Sequence, residues 1–291
     1  MTNPAAGPIE APRRILVTND DGIDSIGLGV LARAMRRFGQ VTVVCPASEH
    51  SGAGAALGPL HAADPEVGRV EIDGIDEAWT VDGPPALCVF YARMNAFGFL
   101  PDLIVSGINP GANVGPSVYH SGTIGAVLTG RSGMIPGIAV SQAFAEPVED
   151  TDEARRDYDG RVSRQRWDTA AAVAAEVVDG MLATEFDDCA VINLNVPNLP
   201  LAEIKGWQWT EVGLRPPWSV DDAQLVPIDG RPGRFRVEQH WVQSGDQPEG
   251  SDGAALQADN VSVAVLCRLQ AAPVSAPEID RRLDTVVGRN N

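Results

Sequence analysis

The chain has 291 residues, 44% of them hydrophobic, enough for one large domain or for a core with an appended piece. Its formal net charge of -17 argues against duplex nucleic acid and anionic membrane as partners, since both repel an acidic surface. No apolar run reaches the roughly 20 residues that span a bilayer, and the opening "MTNPAAGPIEAPRR" has no apolar signal segment, so a cytoplasmic location is the expectation.

"RILVT" (14–18) reads as a buried strand, "GLGVLARAMRRFG" (27–39) as a helix with apolar residues at helical spacing, and "VTVVC" (41–45) as the next strand. A small-residue loop, "PASEHSGAGAALGP", follows. "VEIDGIDEAWTV" suggests a hairpin around Asp73-Gly74. Pro84 and Pro85 open a helix to about Phe97. "PDLIVSG" and "GIAVS" are further strands, with a Gly-rich loop and the helix "TIGAVLTGRSG" between them. Residues 146–166 read as polar and loose, "WDTAAAVAAEVVDGML" as a helix and "CAVINLNVP" as a strand.

Short apolar strands alternating with helices predict an α/β core around a mostly parallel sheet over residues 13–200. The Trp-rich stretch 201–250 reads as an extended β-hairpin arm, and 251–291 as a return to the core and a tail. Cys45, Cys88, Cys189 and Cys267 are widely spaced, with no CxxC pair, and are expected as buried reduced thiols.

Ligands of open α/β sheets bind beyond the carboxyl ends of the strands. Three polar clusters fall there: "TNDDG", "PASEHSG" and "SGINPGANVG". Asp20 and Asp21 converge on one cation if Gly22 turns the chain, or else form a turn or helix cap. Ser51 alone is a loop serine, and a Gly/Asn loop alone is a turn. Together the clusters suggest one divalent cation held by Asp20, Asp21, Ser51 and Asn109. These are all oxygen ligands, which favour Mg²⁺ or Mn²⁺. Ser121, Gly122 and Thr123 open a helix whose N–H groups suit a phosphate; an ordinary Ser cap is the alternative. "GLGVLA" fits a dinucleotide fingerprint but does not follow its strand directly.

"ILVTNDDGI", "VTVVCPASEHSG", "PDLIVSGINPGANVG", "SGTIGA", "INLNVPNLP" and "SDGAALQADNVSV" resemble, in order, the successive blocks of the SurE family of survival-protein nucleotidases, over about residues 13–268. The resemblance implies a metal-dependent 5′-nucleotidase acting on nucleoside monophosphates, with 3′-monophosphates and short polyphosphate also used by some members. It implies catalysis at Asp20, Asp21 and Asn109, metal ligation by Asp20, Asp21, Ser51 and Asn109, and phosphate contacts from Asn113, Ser121, Gly122 and Thr123. It also implies a three-layer, Rossmann-like α/β core, and homo-oligomers, dimers or tetramers, built partly by an exchanged C-terminal arm. The chain departs from the family at His50, usually Arg, at "GPPALC", usually Gly-Thr-Pro-Ala-Asp-Cys, and at His120, usually Tyr. The alternatives are a nucleotide-binding scaffold with little turnover, or a phosphatase for a non-nucleotide ester.

Overall fold

The computed structural model describes residues 12–61, 64–145, 157–184, 190–215, 218–267 and 275–286. The chain runs β1 (Arg14–Thr18), α1 (Ile26–Met35), β2 (Gln40–Pro46), β3 (Val67–Ile72), β4 (Ile75–Val81), α2 (Pro85–Arg93) and β5 (Leu103–Pro110). It continues through α3 (Gly122–Arg131), β6 (Gly137–Gln142), α4 (Tyr158–Ser163), α5 (Trp167–Ala183), β7 (Val191–Val196) and β8 (Gly206–Trp209). β9 (Trp218–Pro227), β10 (Phe235–Gln243), α6 (Asp252–Gln257), β11 (Asn260–Val265) and α7 (Pro277–Val286) complete it.

Nine strands form one sheet in the order β3-β4-β2-β1-β5-β6-β7-β11-β8. From β4 to β7 every neighbour is parallel, while β3 and β11 pair antiparallel with β4 and β7. Ile15, Leu16 and Val17 are all wholly buried, so β1 shows no alternation: a central parallel strand is covered on both faces. Ile15 and Val17 pack with Leu28, Leu31 and Met35 of α1 and Ala170, Ala174 and Val178 of α5. Leu16 and Val44 face the other way, onto Leu87 of α2 and Ile124 and Val127 of α3. These are the three layers of the Rossmann-like core that the resemblance implies.

Three differences have physical causes. The arm is shorter than 201–250, because β8 joins the main sheet, parallel to β11, and takes Trp207 and Trp209 with it. The separate two-stranded sheet is the β9–β10 hairpin alone. Within the stretch expected to be loose, α4 forms; residues 146–156 lie outside the described residues. Helix α2 stops at Arg93, and Asn95 follows with φ 64. Among the described residues no helix is long and apolar enough to cross a membrane.

The cysteines divide. Burial, with a smaller contribution from the charge of Asp24, pushes the Cys45 thiol up to about 12, and burial holds Cys88 well above its ordinary value. Cys267 is exposed, against expectation, and Cys189 lies outside the described residues. Because the thiolate is the reactive form, an alkylating reagent at neutral pH should label Cys267 and spare Cys45 and Cys88 until the protein is unfolded. Peptide mapping checks this; early labelling of Cys45 contradicts it.

Candidate metal centre

The three polar clusters leave the carboxyl ends of adjacent strands, since β2 and β5 flank β1. After Thr18 the chain turns at once. Asn19 Nδ2 donates to the Gly22 carbonyl at 2.9 Å, and Gly22 adopts φ +91, a left-handed conformation suited to glycine. A Cβ there would also meet the Ser48 backbone at 3.1 Å. The second loop is tied to the first by the His50 N–H, which donates to the Asp20 carbonyl at 2.7 Å.

Asp20 is only 3% exposed. Thr123 Oγ1 donates to its Oδ1 at 2.7 Å. Burial raises the pKa of Asp20; the Thr123 hydroxyl and the N–H groups of Thr123 and Gly122 pull against that rise. Helix α3 therefore points its positive end at this carboxylate. The approach is so close that a Cβ on Gly122 would stand 2.8 Å from Asp20 Oδ2. Ser121 caps the helix, its Oγ accepting from the Ile124 N–H at 3.2 Å. Gly125 lets the first turn lie against the loop, where a Cβ would collide with the Gly54 carbonyl.

Asp21 stands beside this arrangement without its support. Its Oδ2 is buried and has no hydrogen-bond partner. Burial first, then the charges of Asp20 and Glu49, push its pKa up to about 8. Asn19 Oδ1, next in the chain, is likewise a buried oxygen without a partner. Buried acceptors crowded by negative charge and lacking donors are what a divalent cation satisfies. The donor set fits such an ion: oxygen atoms only, two of them carboxylates. Among the described residues no group of three or more His, Cys, Asp or Glu could hold a metal, so a cation here would need neutral ligands beside the two carboxylates.

Asn109 reaches this end of the sheet through a register shift between Gly107 and Asn109, where β5 carries one residue more than β6. The extra residue, Ile108, turns into the core, and Asn109 Nδ2 donates to the Gly111 carbonyl at 2.7 Å. Its side-chain oxygen remains an acceptor. Ser51 is exposed, and its hydroxyl donates to Glu49 Oε1 at 2.8 Å. Asn113, expected as a phosphate contact, has partners in the sheet. Its Nδ2 donates to Ser141 Oγ at 2.9 Å, its N–H to Asn195 Oδ1 at 2.8 Å, and its carbonyl accepts from Asn193 and Asn195. These bonds hold the loop to β6 and β7. Glu49, whose charge reaches Asp21, is not among the residues expected from sequence; its place between the loop proline and Ser51 is the signal that could have found it.

Thr123→Val keeps the shape and removes the Asp20 hydrogen bond. Losing a bond to a charged group costs about 1.5–3 kcal/mol, so kcat/KM should fall roughly 10- to 150-fold, with more metal needed for half-maximal activity. Steady-state kinetics across a Mn²⁺ titration check this; unchanged values would reduce Thr123 to a helix-opening residue.

Comparisons with known proteins place the chain in a family. Residues 15–218 match the model of the family described as Survival protein SurE. The 5′-nucleotidase SurE of Histophilus somni (strain 2336) is 36% identical over 253 residues, covering 86% of this chain and 90% of that protein. The 5′/3′-nucleotidase SurE of Erwinia tasmaniensis is 36% identical over 260 residues, covering 87% and 89%. The crystal structure of the SurE protein from Aquifex aeolicus superposes with a TM-score of 0.70 at 28% identity, covering 94% of this chain and 99% of that one. On the family match and these relatives, the chain belongs to the SurE family.

Proposed function

We propose that the chain is a metal-dependent 5′-nucleotidase, a phosphomonoesterase that releases inorganic phosphate from nucleoside monophosphates at the Asp20–Asp21 centre. The observation that carries the reading is a buried carboxylate pair, one oxygen of which has no donor, set against the N-terminus of α3 in a chain of the SurE family. Asp20, Asp21, Ser51 and Asn109 would hold one divalent ion per subunit, Mg²⁺ or Mn²⁺ by the hardness of the oxygen set. Such an ion supplies Lewis-acid polarisation of a phosphoryl oxygen.

The protein's own groups do the rest. Thr123 holds Asp20 in one orientation through its hydroxyl. The N-terminus of α3, with Ser121, Gly122 and Thr123, presents the positive end of a ten-residue helix to the phosphoryl group. In an acidic chain that local field offsets the long-range repulsion of an anionic substrate. Asn113 serves by fixing the loop that carries Asn109.

The β9–β10 hairpin is the proposed contact for a dimer or tetramer. Leu225 pairs with Val237 and Pro227 with Phe235 on one face, and Leu225, Val237 and Phe235 are exposed. A lone two-stranded hairpin is marginal in water without a surface to cover it. Light scattering that finds a monomer at micromolar concentration contradicts this assembly. The free thiols of Cys45 and Cys88 suit a reducing compartment, in keeping with a cytoplasmic location.

Phosphate release from 5′-AMP, 3′-AMP, glycerol 2-phosphate and tripolyphosphate tests the activity. The expected result is the highest kcat/KM for the 5′-nucleotide. Glycerol 2-phosphate turned over at equal or greater kcat/KM would make the enzyme a general phosphatase.

A further inference from the structure

Beyond the metal centre, an aromatic pair stands at the same end of the sheet. Phe144 follows β6, and Tyr158 opens α4. Their ring centroids lie 6.2 Å apart with the planes at 76°, an edge-to-face contact. The Arg161 guanidinium covers Phe144 at 3.8 Å from its centroid. Phe144 lies over Gly111, where a Cβ would meet the ring at 3.1 Å, and the Gly111 carbonyl is the group that holds Asn109. One chain of contacts therefore links Asn109, Gly111, Phe144 and Tyr158.

The C-terminal end of α4 is anchored. Gln165 Nε2 donates to the Gln142 carbonyl at 3.1 Å, Gln142 Nε2 donates to the Arg166 carbonyl at 3.0 Å, and the Arg166 N–H donates to Asn198 Oδ1 at 2.9 Å. The aromatic pair is thereby held beside the site on a fixed element. Tyr158 is 42% exposed; burial first, then the charges of Asp21, Glu49, Asp20 and Asp159, push the pKa of its phenol up.

We propose that Phe144 and Tyr158 form the nucleoside-binding wall of this site, with the exposed part of the Tyr158 ring stacking on the substrate base. The inference rests on the nucleotidase reading and names the part of the substrate held outside the metal centre. The surface that Phe144 and Tyr158 offer is made of aromatic rings, so the group it suits is a planar base rather than a second phosphate. Stacking on an aromatic face suits a base because every base has a π-face.

The test compares 5′-AMP with glycerol 2-phosphate, which has no ring, in wild type, Tyr158→Phe and Tyr158→Ala. The ratio of the two kcat/KM values should fall about tenfold in Tyr158→Ala and stay within about twofold of wild type in Tyr158→Phe, which keeps the ring. An unaltered ratio in Tyr158→Ala, or an equal loss on both esters with a lowered melting temperature, overturns the proposal and leaves Tyr158 as a packing residue. Wild type that hydrolyses neither ester refutes the nucleotidase reading separately. In that case calorimetric titration with adenosine decides the wall: binding weakened about tenfold by Tyr158→Ala supports it, and binding that is absent or unchanged overturns it.

Discussion

Asp21→Asn is expected to lower kcat/KM for nucleoside monophosphates by about a thousandfold, a loss of several kcal/mol of charge stabilisation, while raising the melting temperature of the metal-free protein. The two effects have one cause. Asp21 is buried beside Asp20 and Glu49, and its Oδ2 has no partner. Without a cation the second charge is a liability, and the neutral amide removes it; with a cation the charge is a ligand, and the amide loses it. The sign with pH follows. The folded-state pKa of about 8 lies above the ordinary 3.8, so the folded chain keeps a proton that the unfolded chain releases. In chelator, stability should fall as pH rises from about 4 to about 8, and Asp21→Asn should flatten that slope. Thermal melts in chelator check both points; a lower melting temperature for Asp21→Asn contradicts the account of a strained carboxylate.

Asp252→Ala should give the largest stability loss. Asp252 opens α6 with no exposed surface. Its Oδ2 accepts from the Gly115 N–H at 2.9 Å, and its Oδ1 accepts from Gly213 at 3.0 Å and Gly253 at 2.8 Å. One carboxylate thus joins the loop beyond Asn113, the segment after β8 and its own helix. Gly115 needs that closeness, since a Cβ there would meet the Arg215 carbonyl at 2.8 Å. Alanine leaves three N–H groups without their acceptor, at about 1–3 kcal/mol for each that stays buried. A drop of about 10 °C in melting temperature is expected, together with reduced activity because the Asn loop loses its anchor. A melt within about 2 °C of wild type would show that water replaces the carboxylate at little cost.

The buried centre of this fold was legible because parallel strands covered on both faces are written as apolar runs: "ILV", "VTVV" and "GIAV" need no context to be read. β8 was not. "GWQW" leaves Trp207 and Trp209 60% and 61% exposed, and its pairing with β11 joins residues some fifty positions apart, so the sequence reads as well for an arm as for a sheet edge. Asp20 and Asp21 were legible by their position after a strand. What holds Asp20 was only half legible: Thr123 marked a helix start, yet its hydroxyl is turned onto a carboxylate far away in sequence. Asp252 reads as an ordinary acidic helix opener, and Tyr158 as one residue of a polar stretch. In both cases the meaning lies in contacts that local pattern does not encode.

The central claim is that the oxygen cluster at Asp20 and Asp21 binds a divalent ion and that phosphate release from nucleotides depends on it. The direct measurement is phosphate release from 5′-AMP by chelator-treated protein, before and after Mn²⁺ or Mg²⁺ is restored, with Asp21→Asn alongside. The account predicts no turnover in excess chelator, recovery in wild type on adding the metal, and about a thousandfold less in the variant. Full turnover in chelator, or a variant as active as wild type with metal, would contradict it.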